Sequence, residues 1–372
     1  MIIGKGYPDR LLSNEEINAL CEQALADQNL NNKRILVIIP DHTRTGPIDV
    51  IFRSVYFLLA ERVKLLDFII ALGTHPPMSQ NAMLMRVGLN EEEWTKKYSK
   101  ARFFNHNWKD PQQIKHIGTI PARDIAEISQ GLMSESVEIT INKIVFDYDL
   151  LLIAGPTFPH EVVGFSGGNK YLFPGIAGQE IIDMFHWLGA LITNPVIIGT
   201  KFTPVRAVVD RAAALLPVKR MCISLVVKGQ GLAGLFIGSP EQAWEAAADL
   251  SEKIHIIYKN HAFKEVLSRA PEMYEDIWTA GKCMYKLEPV VADGGELIIY
   301  APHIKEVSVT HGHIIEAIGY HVRDYFHLQK ERFKDIPGGV MAHSTHVKGI
   351  GTFINGIEQN AHGRRQPSAI FK

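Results

Sequence analysis

Three short apolar runs, each followed by a loop rich in polar side chains, constrain the fold of this chain most strongly. The runs cover residues 34–40, 65–72 and 150–154, and residues with helical spacing lie between them. Runs of this length that are apolar throughout are typical of strands buried on both faces of a sheet. Strands that alternate with helices predict an α/β fold, with a mostly parallel, Rossmann-like sheet, helices on both faces and right-handed crossovers.

The remaining elements follow from the same patterns and suggest a boundary. The helices expected in the first part of the chain cover 14–26, 50–63, 204–216 and 240–251, and two further strands cover 221–228 and 235–238. After these we expect strands over 255–258, 264–268 and 296–300, a helix over 276–291 and a turn at Gly294-Gly295. Because the pattern changes near Tyr258, we expect an N-terminal domain of residues 1–258 and a smaller C-terminal α/β domain of residues 259–372.

Composition and charge exclude several classes of function. With 372 residues, the chain is long enough for two domains that each bury a core. A formal net charge of −1 provides no broad basic surface, so nucleic acid is not expected as a partner. The three cysteines are far apart in sequence, which favours a reducing compartment. The chain begins without a signal peptide's apolar core and has no run of about 18 apolar residues, so we expect a soluble cytoplasmic protein that does not enter a membrane.

The densest set of reactive side chains lies between residues 159 and 187. His160 comes first, Ser166-Gly167-Gly168 and Lys170 follow, and His186 lies on a predicted helix with one apolar face. Paired glycines let backbone amides approach an anion, and a nearby lysine can pair with a phosphate or attack an electrophilic carbon. This stretch follows a predicted strand, and open α/β sheets bind ligands at the carboxyl ends of their strands.

Two other predicted strands also end in polar loops. Asp41 and Arg44 follow the first of these strands. An aspartate carboxylate can accept hydrogen bonds, and an arginine guanidinium can hold a carboxylate or phosphate through two hydrogen bonds. His75 follows the second strand just as His160 follows its own, so the two imidazoles could flank one substrate. On their own, Asp41 and Arg44 are more typical of a helix-capping aspartate and a surface arginine, and His75 is equally consistent with a histidine in a turn.

In combination, these motifs resemble those of the nickel-pincer-nucleotide-dependent lactate racemase family. The matching segments are DHTR at 41–44, GTH at 73–75, PHEVVGFSGGNK at 159–170 and the helix histidine at 186. The resemblance implies that Lys170 holds the cofactor through a thioamide, that His186 ligates nickel, and that His75 and His160 are the catalytic histidines. It places Arg44 at the substrate and the following residues at the cofactor: Asp41, Thr43, Ser166, Gly167 and Gly168.

The resemblance extends into the second predicted domain with one departure. Lys282 lies where the family has a lysine that reaches the substrate carboxylate. Thr279 stands at the substrate position where the family has a glutamine. This difference, together with many histidines after residue 300, favours a larger and more polar acid than lactate, such as a sugar acid.

The implied function is that of an isomerase, a racemase or epimerase that inverts the hydroxyl-bearing C2 of a 2-hydroxy acid. The implied cofactor is pyridinium-3-thioamide-5-thiocarboxylic acid mononucleotide with nickel, the nickel-pincer nucleotide, which dedicated cofactor-synthesis enzymes would supply. Hydride transfer to its ring would give a flat 2-keto acid while one histidine takes the hydroxyl proton. Return of the hydride to the other face would use the opposite histidine, since imidazole titrates near neutrality.

Without the resemblance, the residues allow two other functions. One is a phosphate- or nucleotide-binding α/β protein without redox chemistry, in which Gly167, Gly168 and Lys170 form the anion site. No GxxxxGK[ST] motif is present and no GxGxxG follows a strand, which disfavours ordinary nucleotide hydrolysis and NAD binding. The other is a zinc enzyme built on His311 and His313, with a third ligand from elsewhere in the chain.

Two expectations concern the end of the chain. The histidines there are His303, His311, His313, His321, His327, His343 and His346. The glycine-containing segment 343–353, HSTHVKGIGTF, is expected to be a loop that presents polar groups to the substrate cleft. The ending NAHGRRQPSAIFK is polar and predicts no closing strand, whereas family members return to the first domain, so we expect a shortened or different carboxyl end.

Overall fold

The structure, a computed structural model, describes residues 2–26, 29–349 and 351–360. Its strands are β1 (Ile3–Gly6), β2 (Arg34–Pro40), β3 (Leu65–Ala71), β4 (Ala101–Asn105), β5 (Ile114–Ile120), β6 (Val137–Asn142), β7 (Leu150–Pro156), β8 (Pro159–His160), β9 (Gly164–Phe165), β10 (Lys219–Lys228), β11 (Gly231–Gly238), β12 (Phe263–Arg269), β13 (Val291–Tyr300), β14 (Gly351–Ile354) and β15 (Ile357–Asn360). Its α-helices are α1 (Asn14–Ala26), α2 (Ile48–Leu59), α3 (Gln80–Arg86), α4 (Glu91–Glu93), α5 (Ala122–Ile128), α6 (Gln179–Ile192), α7 (Asn194–Ile197), α8 (Pro204–Ala214), α9 (Pro240–His255), α10 (Ile277–Leu287), α11 (Gly312–Ile318), α12 (Arg323–His327) and α13 (Gly338–Lys348).

A seven-stranded sheet with the order β1-β11-β10-β7-β2-β3-β4 organises the first part of the chain. Strands β10, β7, β2, β3 and β4 run parallel, while β11 is antiparallel to both β10 and β1. The expected α/β fold with a mostly parallel sheet is therefore confirmed. The chain winds from β2 to β3 and β4 and then returns to β7 on the other side of β2. Loops diverge at such a reversal and leave a crevice at the carboxyl ends of the strands.

Helices cover both faces of this sheet because its central strands are apolar on both sides. In β2, Ile35, Val37 and Ile39 pack into one core together with residues of α1 and α2. Leu36 and Ile38 point the other way and pack with residues of α6 and α8. Successive side chains of a strand face opposite sides of the sheet, so an uninterrupted apolar strand requires cover on both.

The later part of the chain forms smaller sheets and cores. Strands β12 and β13 pair in parallel, and β14 pairs with β15 antiparallel, in separate two-stranded sheets. Residues of α11, α12 and α13 share a core that includes Ile315, Phe326 and Val340. Helix α13 packs against α6, where the Gly339 amide donates to Asp183 Oδ1 at 3.0 Å. This contact joins the later part of the chain to the helix that carries His186.

Two expectations about strands and turns in the later part are wrong. Residues 255–258 do not form a strand, because α9 continues to His255, whose ring bonds Ser251 Oγ at 2.9 Å and the Val227 carbonyl at 2.8 Å. Those bonds hold the last helical turn against the sheet. Gly294-Gly295 does not turn the chain but lies within β13, where the pairing with β12 shifts register. A glycine inside a strand commonly marks such an irregularity.

Two expectations about helices also need correction. Residues 343–348 form the last turns of α13 instead of a loop, and the helix ends where Gly349 adopts φ +96°. Helix α10 ends at Leu287, short of residue 291, because Pro289 cannot continue it. The expectation about the polar carboxyl end falls, from residue 361 onward, outside the described part of the chain. None of the described helices is both long enough and apolar enough to cross a membrane.

Candidate functional site

One cleft at the carboxyl ends of β2, β3 and β7 collects most of the residues singled out from the sequence. It encloses about 1080 Å³ of space, part of it open to solvent. The predicted site residues that line it are Asp41, Arg44, His75, His160, Ser166, Gly167, Lys170, His186 and Lys282. The Gly73 amide in the loop after β3 donates to the Gly175 carbonyl at 2.9 Å, which holds two of the strand-end loops together.

Asp41 determines which nitrogen of His75 is available to a ligand. The Asp41 carboxylate lies 2.5 Å from His75 Nδ1 and accepts further hydrogen bonds from the Thr43 amide and hydroxyl. Burial alone would raise the pKa of Asp41, but the hydrogen bond to His75 and the nearby Arg44 hold it below its usual range. Nδ1 of His75 therefore donates to a carboxylate, which leaves Nε2 with a lone pair that can accept a proton.

His160 shows the opposite arrangement. Its Nδ1 accepts a hydrogen bond from the Val162 amide at 3.1 Å, so Nε2 carries the proton when the ring is neutral. Burial lowers the pKa of His160 well below its ordinary value, and the nearby cation of Lys170 adds to this effect. The cleft therefore contains one imidazole that offers a lone pair and another that offers an N–H group.

Lys170 lies on a short 3₁₀ turn, Gly168–Tyr171, directly after the two glycines. Its Nζ is 5.5 Å from the centre of the Phe185 ring. Burial lowers the pKa of Lys170 to about 7, and the positive charge of Arg44 contributes. A large fraction of the amine is therefore neutral near pH 7, and only a neutral amine can act as a nucleophile.

The loop before Lys170 has a conformation that only small residues permit. Gly167 has φ +88°, and a Cβ there would lie 2.3 Å from Thr157 Oγ1. Buried Arg206 donates to the carbonyls of Phe165 and Gly167, and Ser166 Oγ donates to the Pro156 carbonyl. Arg206 was not singled out from the sequence, although an arginine flanked by the apolar residues Val205 and Ala207 in the first turn of α8 is a signal for such a role.

His186 is prepared to ligate a metal ion through one nitrogen. Its Nδ1 donates to the Ile182 carbonyl one helical turn earlier, at 2.7 Å. Burial lowers the pKa of His186 to about 4, so the ring is neutral at physiological pH. A histidine whose Nδ1–H is held by a carbonyl presents the lone pair of Nε2, which is the usual arrangement in metal sites.

Two cations complete the polar part of the cleft. Arg44 Nη1 donates to Thr43 Oγ1 at 3.1 Å, and its backbone carbonyl accepts a hydrogen bond from Arg86. Lys282 reaches the cleft from α10, and burial lowers its pKa to about 8 with a contribution from Arg44. These two side chains come from distant parts of the sequence, and both are of the type that can bind a carboxylate.

A second wall is formed by α10 and α13; Lys282 and the segment with His343 and His346 were expected at the cleft from the sequence, but that segment was predicted as a loop. Besides Lys282 this wall contributes Trp278, Tyr285, His343 and His346 to the cleft lining. The His343 ring stacks on Trp278 with 4.4 Å between centroids, and its Nδ1 lies 3.3 Å from Tyr285 Oη. The i, i+3 spacing of the two histidines would have indicated one helix face, had this segment been predicted as a helix.

Not every predicted residue reaches the cleft. Among the described residues that line it, Thr43, Gly168 and Thr279 are absent. The Thr43 hydroxyl donates to the Asp41 carboxylate, and the Thr279 amide donates to the Asp276 carboxylate, which caps the start of α10. Within the described part of the chain, no group of three or more His, Cys, Asp or Glu side chains is arranged to hold a metal ion. His311, the residue considered as a zinc ligand, belongs to no such group and packs beside Trp278, with 4.7 Å between the ring centroids.

Comparisons of sequence relate the chain to lactate racemases. A family model described as the lactate racemase N-terminal domain matches residues 13–196. The lactate racemase of Thermoanaerobacterium thermosaccharolyticum is 25% identical over 289 residues, which cover 76% of this chain and 63% of that protein. The lactate racemase of Lactiplantibacillus plantarum is 24% identical over 321 residues, 80% of this chain and 70% of the relative. The match thus spans a little under two thirds of the first relative's length.

Comparisons of structure extend over nearly the whole chain. A crystal structure of a Thermotoga maritima protein is similar with a TM-score of 0.85 and 30% identity, covering 96% of this chain and 87% of the other. The structure of the lactate racemase apoprotein of T. thermosaccharolyticum is similar with a TM-score of 0.71 and 20% identity, covering 93% of this chain and 85% of the other. At that identity, the second likeness shows a shared fold.

Proposed function

The chain belongs to the lactate racemase family, matched over residues 13–196 by the family's N-terminal domain, and on this premise we propose that it is an isomerase that inverts C2 of 2-hydroxy acids. The observation that carries the proposal is the pair of imidazoles in one cleft. His75 offers a lone pair and His160 offers an N–H group, as Asp41 and the Val162 amide dictate. Inversion of a hydroxyl-bearing carbon requires a proton to leave the oxygen on one pass and to return on the other.

The donor set of the cleft fits the nickel-pincer nucleotide. Lys170, with its pKa near 7, has the neutral amine that a thioamide link requires. His186 keeps Nε2 for nickel, because its Nδ1 is engaged with the Ile182 carbonyl. A single protein ligand would be enough for a nickel ion that the nucleotide's own thio-acyl arms also hold. When bound, the cofactor would supply a reversible hydride acceptor, which side chains lack.

The remaining residues bind the substrate and move its proton. Arg44 and Lys282 hold the carboxylate so that the hydroxyl-bearing carbon lies between His75 and His160. His75 takes the hydroxyl proton at Nε2, and the resulting imidazolium is stabilised by the Asp41 carboxylate. His160 donates its Nε2–H to the substrate oxygen and stabilises the charge that develops there. When the hydroxyl is formed again, the His75 imidazolium returns the proton from Nε2 to the substrate oxygen, while His160 keeps its N–H hydrogen bond to that oxygen.

We extend the proposal to the organisation of the chain. Residues 1–258 would form a cofactor-binding domain, and residues 259–372 a smaller domain that closes over the substrate. The separate cores of the later part and the position of Lys282 at the cleft support this division. Three buried free cysteines agree with a cytoplasmic location, where thiols stay reduced, and cofactor-synthesis enzymes would be the functional partners.

The test is to follow inversion in heavy water. The protein is produced together with cofactor-synthesis enzymes, loading is verified by intact mass, and single stereoisomers of several 2-hydroxy acids are incubated and analysed by NMR. We expect inversion at C2 with little deuterium at that carbon, because the hydrogen returns from the cofactor without solvent exchange. Deuterium incorporation at the rate of inversion would contradict the hydride mechanism, and loaded protein that inverts none of the acids would contradict the proposed activity.

A further inference from the structure

A buried carboxylate in the cleft has no task in the reaction described above. Glu161 follows His160 directly, is only 8% exposed and lines the cleft. Buried carboxylates are expensive unless hydrogen-bond donors or cations surround them. The partners of Glu161 therefore indicate whether it serves the fold or a ligand.

The neighbouring histidine does not satisfy this carboxylate. Glu161 Oε2 lies 3.6 Å from His160 Nδ1, which is beyond a hydrogen bond. That nitrogen already accepts from the Val162 amide and has no hydrogen to give when the ring is neutral. Within the described residues, Glu161 has no other ion pair within 4.0 Å, and its own backbone amide serves the carboxylate as a hydrogen-bond donor. The protein alone therefore leaves its oxygens short of donors.

The surroundings keep Glu161 charged. Burial would raise the pKa of Glu161, but positive charge, from His160 when that ring is protonated and from Lys282, holds it below its ordinary range together with the hydrogen bond from its own amide. Lys282 acts here at a distance, since no contact of 4.0 Å or less joins it to Glu161 in the described part of the chain. A ligand that enters the cleft and displaces water must replace the water's hydrogen bonds to this anion, or lose affinity.

We propose that Glu161 determines substrate specificity by accepting hydrogen bonds from hydroxyl groups beyond C2. The substrate class is then 2-hydroxy monocarboxylic acids that carry further hydroxyls, an inference that rests on the proposed function of the same cleft. An apolar tail would leave the carboxylate without donors, and a second substrate carboxylate would be repelled by it. Tyr285 and His343 on the opposite wall add further polar groups for a hydroxylated chain.

The experiment compares binding of three acids to the cofactor-loaded protein by calorimetry. The probes are gluconate with several hydroxyls, lactate with an apolar tail and malate with a second carboxylate. The variants are Glu161→Gln and Glu161→Leu, with Glu180→Gln as control, because Glu180 is an exposed carboxylate at the start of α6 that does not line the cleft among the described residues. Thermal melts confirm that each variant is folded.

We expect the unaltered protein and Glu180→Gln to bind gluconate more tightly than lactate or malate. Glu161→Gln should weaken gluconate about tenfold and Glu161→Leu up to about a hundredfold, because a hydrogen bond to a charged group is lost. Lactate should bind either variant at least as well as before, and malate should bind more tightly once the repelling charge is gone. The preference for gluconate should therefore be lost when the Glu161 carboxylate is removed and kept when the Glu180 carboxylate is removed.

Other outcomes overturn the inference. Equal weakening of all three acids, or an equal loss of turnover for all of them, would show that Glu161 acts through His160 instead. Unchanged preferences in both Glu161 variants, or no preference for gluconate in the unaltered protein, would also refute it. If the preference is present and depends on Glu161 while no acid is inverted, the specificity assignment stands and the proposed isomerase activity fails.

Discussion

The two walls of the cleft are built from different kinds of structure. One wall consists of loops that follow β2, β3 and β7, and each imidazole there is held by a near neighbour, His75 by Asp41 and His160 by the Val162 amide. The other wall consists of helices α10 and α13, where His343 is held by ring stacking on Trp278 and by tyrosine hydroxyls. Strand-end loops fix the donor and acceptor state of a side chain, whereas the helical wall supplies shape and charge. We therefore expect the reaction chemistry on the first wall, and we expect the second wall to contribute to substrate binding without taking part in that chemistry.

The largest effect should follow from changing Lys170 on the strand-end wall. Lys170→Ala removes the amine, so the cofactor adduct and all isomerase activity should disappear. Lys170→Arg is the informative companion, because a guanidinium keeps the positive charge but cannot form the thioamide. Intact mass spectrometry of protein made with the cofactor-synthesis enzymes measures the adduct. An adduct that persists, or that peptide sequencing places on another lysine, would contradict the assignment.

The two imidazoles of the same wall should come next. His75→Ala and His160→Ala should each slow inversion in both directions, by on the order of 10²–10⁴-fold, since each removes a proton-transfer group. His42→Ala serves as control, because His42 is exposed in the same loop as Asp41. Initial rates from each stereoisomer decide the matter. A loss in only one direction, or a loss equal to that of His42→Ala, is incompatible with paired roles.

His186 should affect the metal more than the covalent link. His186→Ala removes the expected nickel ligand while Lys170 stays intact, so nickel content should fall and the adduct mass should remain. Atomic spectroscopy measures nickel per protein, and the intact mass of the same sample measures the adduct. Together they distinguish loss of nickel from loss of the covalent link. Unchanged nickel stoichiometry in the folded variant would rule out ligation by His186.

On the helical wall, Lys282 should influence binding more than chemistry. Lys282→Ala removes a carboxylate partner and should raise KM by roughly ten- to a hundredfold, with a smaller change in kcat. Lys286→Ala is the matched control, an exposed lysine one helical turn further along α10. If Lys282→Ala reduces kcat as strongly as the histidine variants do, the division of labour between the walls is wrong.

The smallest expected difference is in the titration of the two cleft lysines without cofactor. Burial lowers the pKa of Lys170 to about 7 and that of Lys282 to about 8. Each amine is protonated below its pKa and reactive above it, so acylation should become half-maximal near pH 7 for Lys170 and near pH 8 for Lys282. Exposed lysines should follow only near pH 10. Mass spectrometry of labelled peptides across pH measures the order, and a Lys170 that labels with the exposed lysines would remove the basis for its neutral amine.

The sequence predicted the strand-end wall well, for a physical reason. Short apolar runs indicated buried strands, and the residues that follow such strands must gather at one edge of a parallel sheet. Asp41, His75, His160 and Lys170 do line one cleft there, as expected. The chemical roles assigned to them still await experiment.

The helical wall and Glu161 depended on contacts that no local pattern encodes. The bond between Asp183 and Gly339, separated by 156 residues, brings α13 against α6 and so places His343 and His346 at the cleft. Because the segment 343–353 shows little amphipathic pattern, it was predicted as a loop. The sequence therefore did not indicate that His343 and His346 lie on the same face of a helix. Periodicity and strand ends are properties of neighbouring residues, so the sequence by itself determined the sheet and its reactive edge. Which helices close that edge, which nitrogen each imidazole presents and which carboxylate is left short of donors were decided only by the tertiary structure.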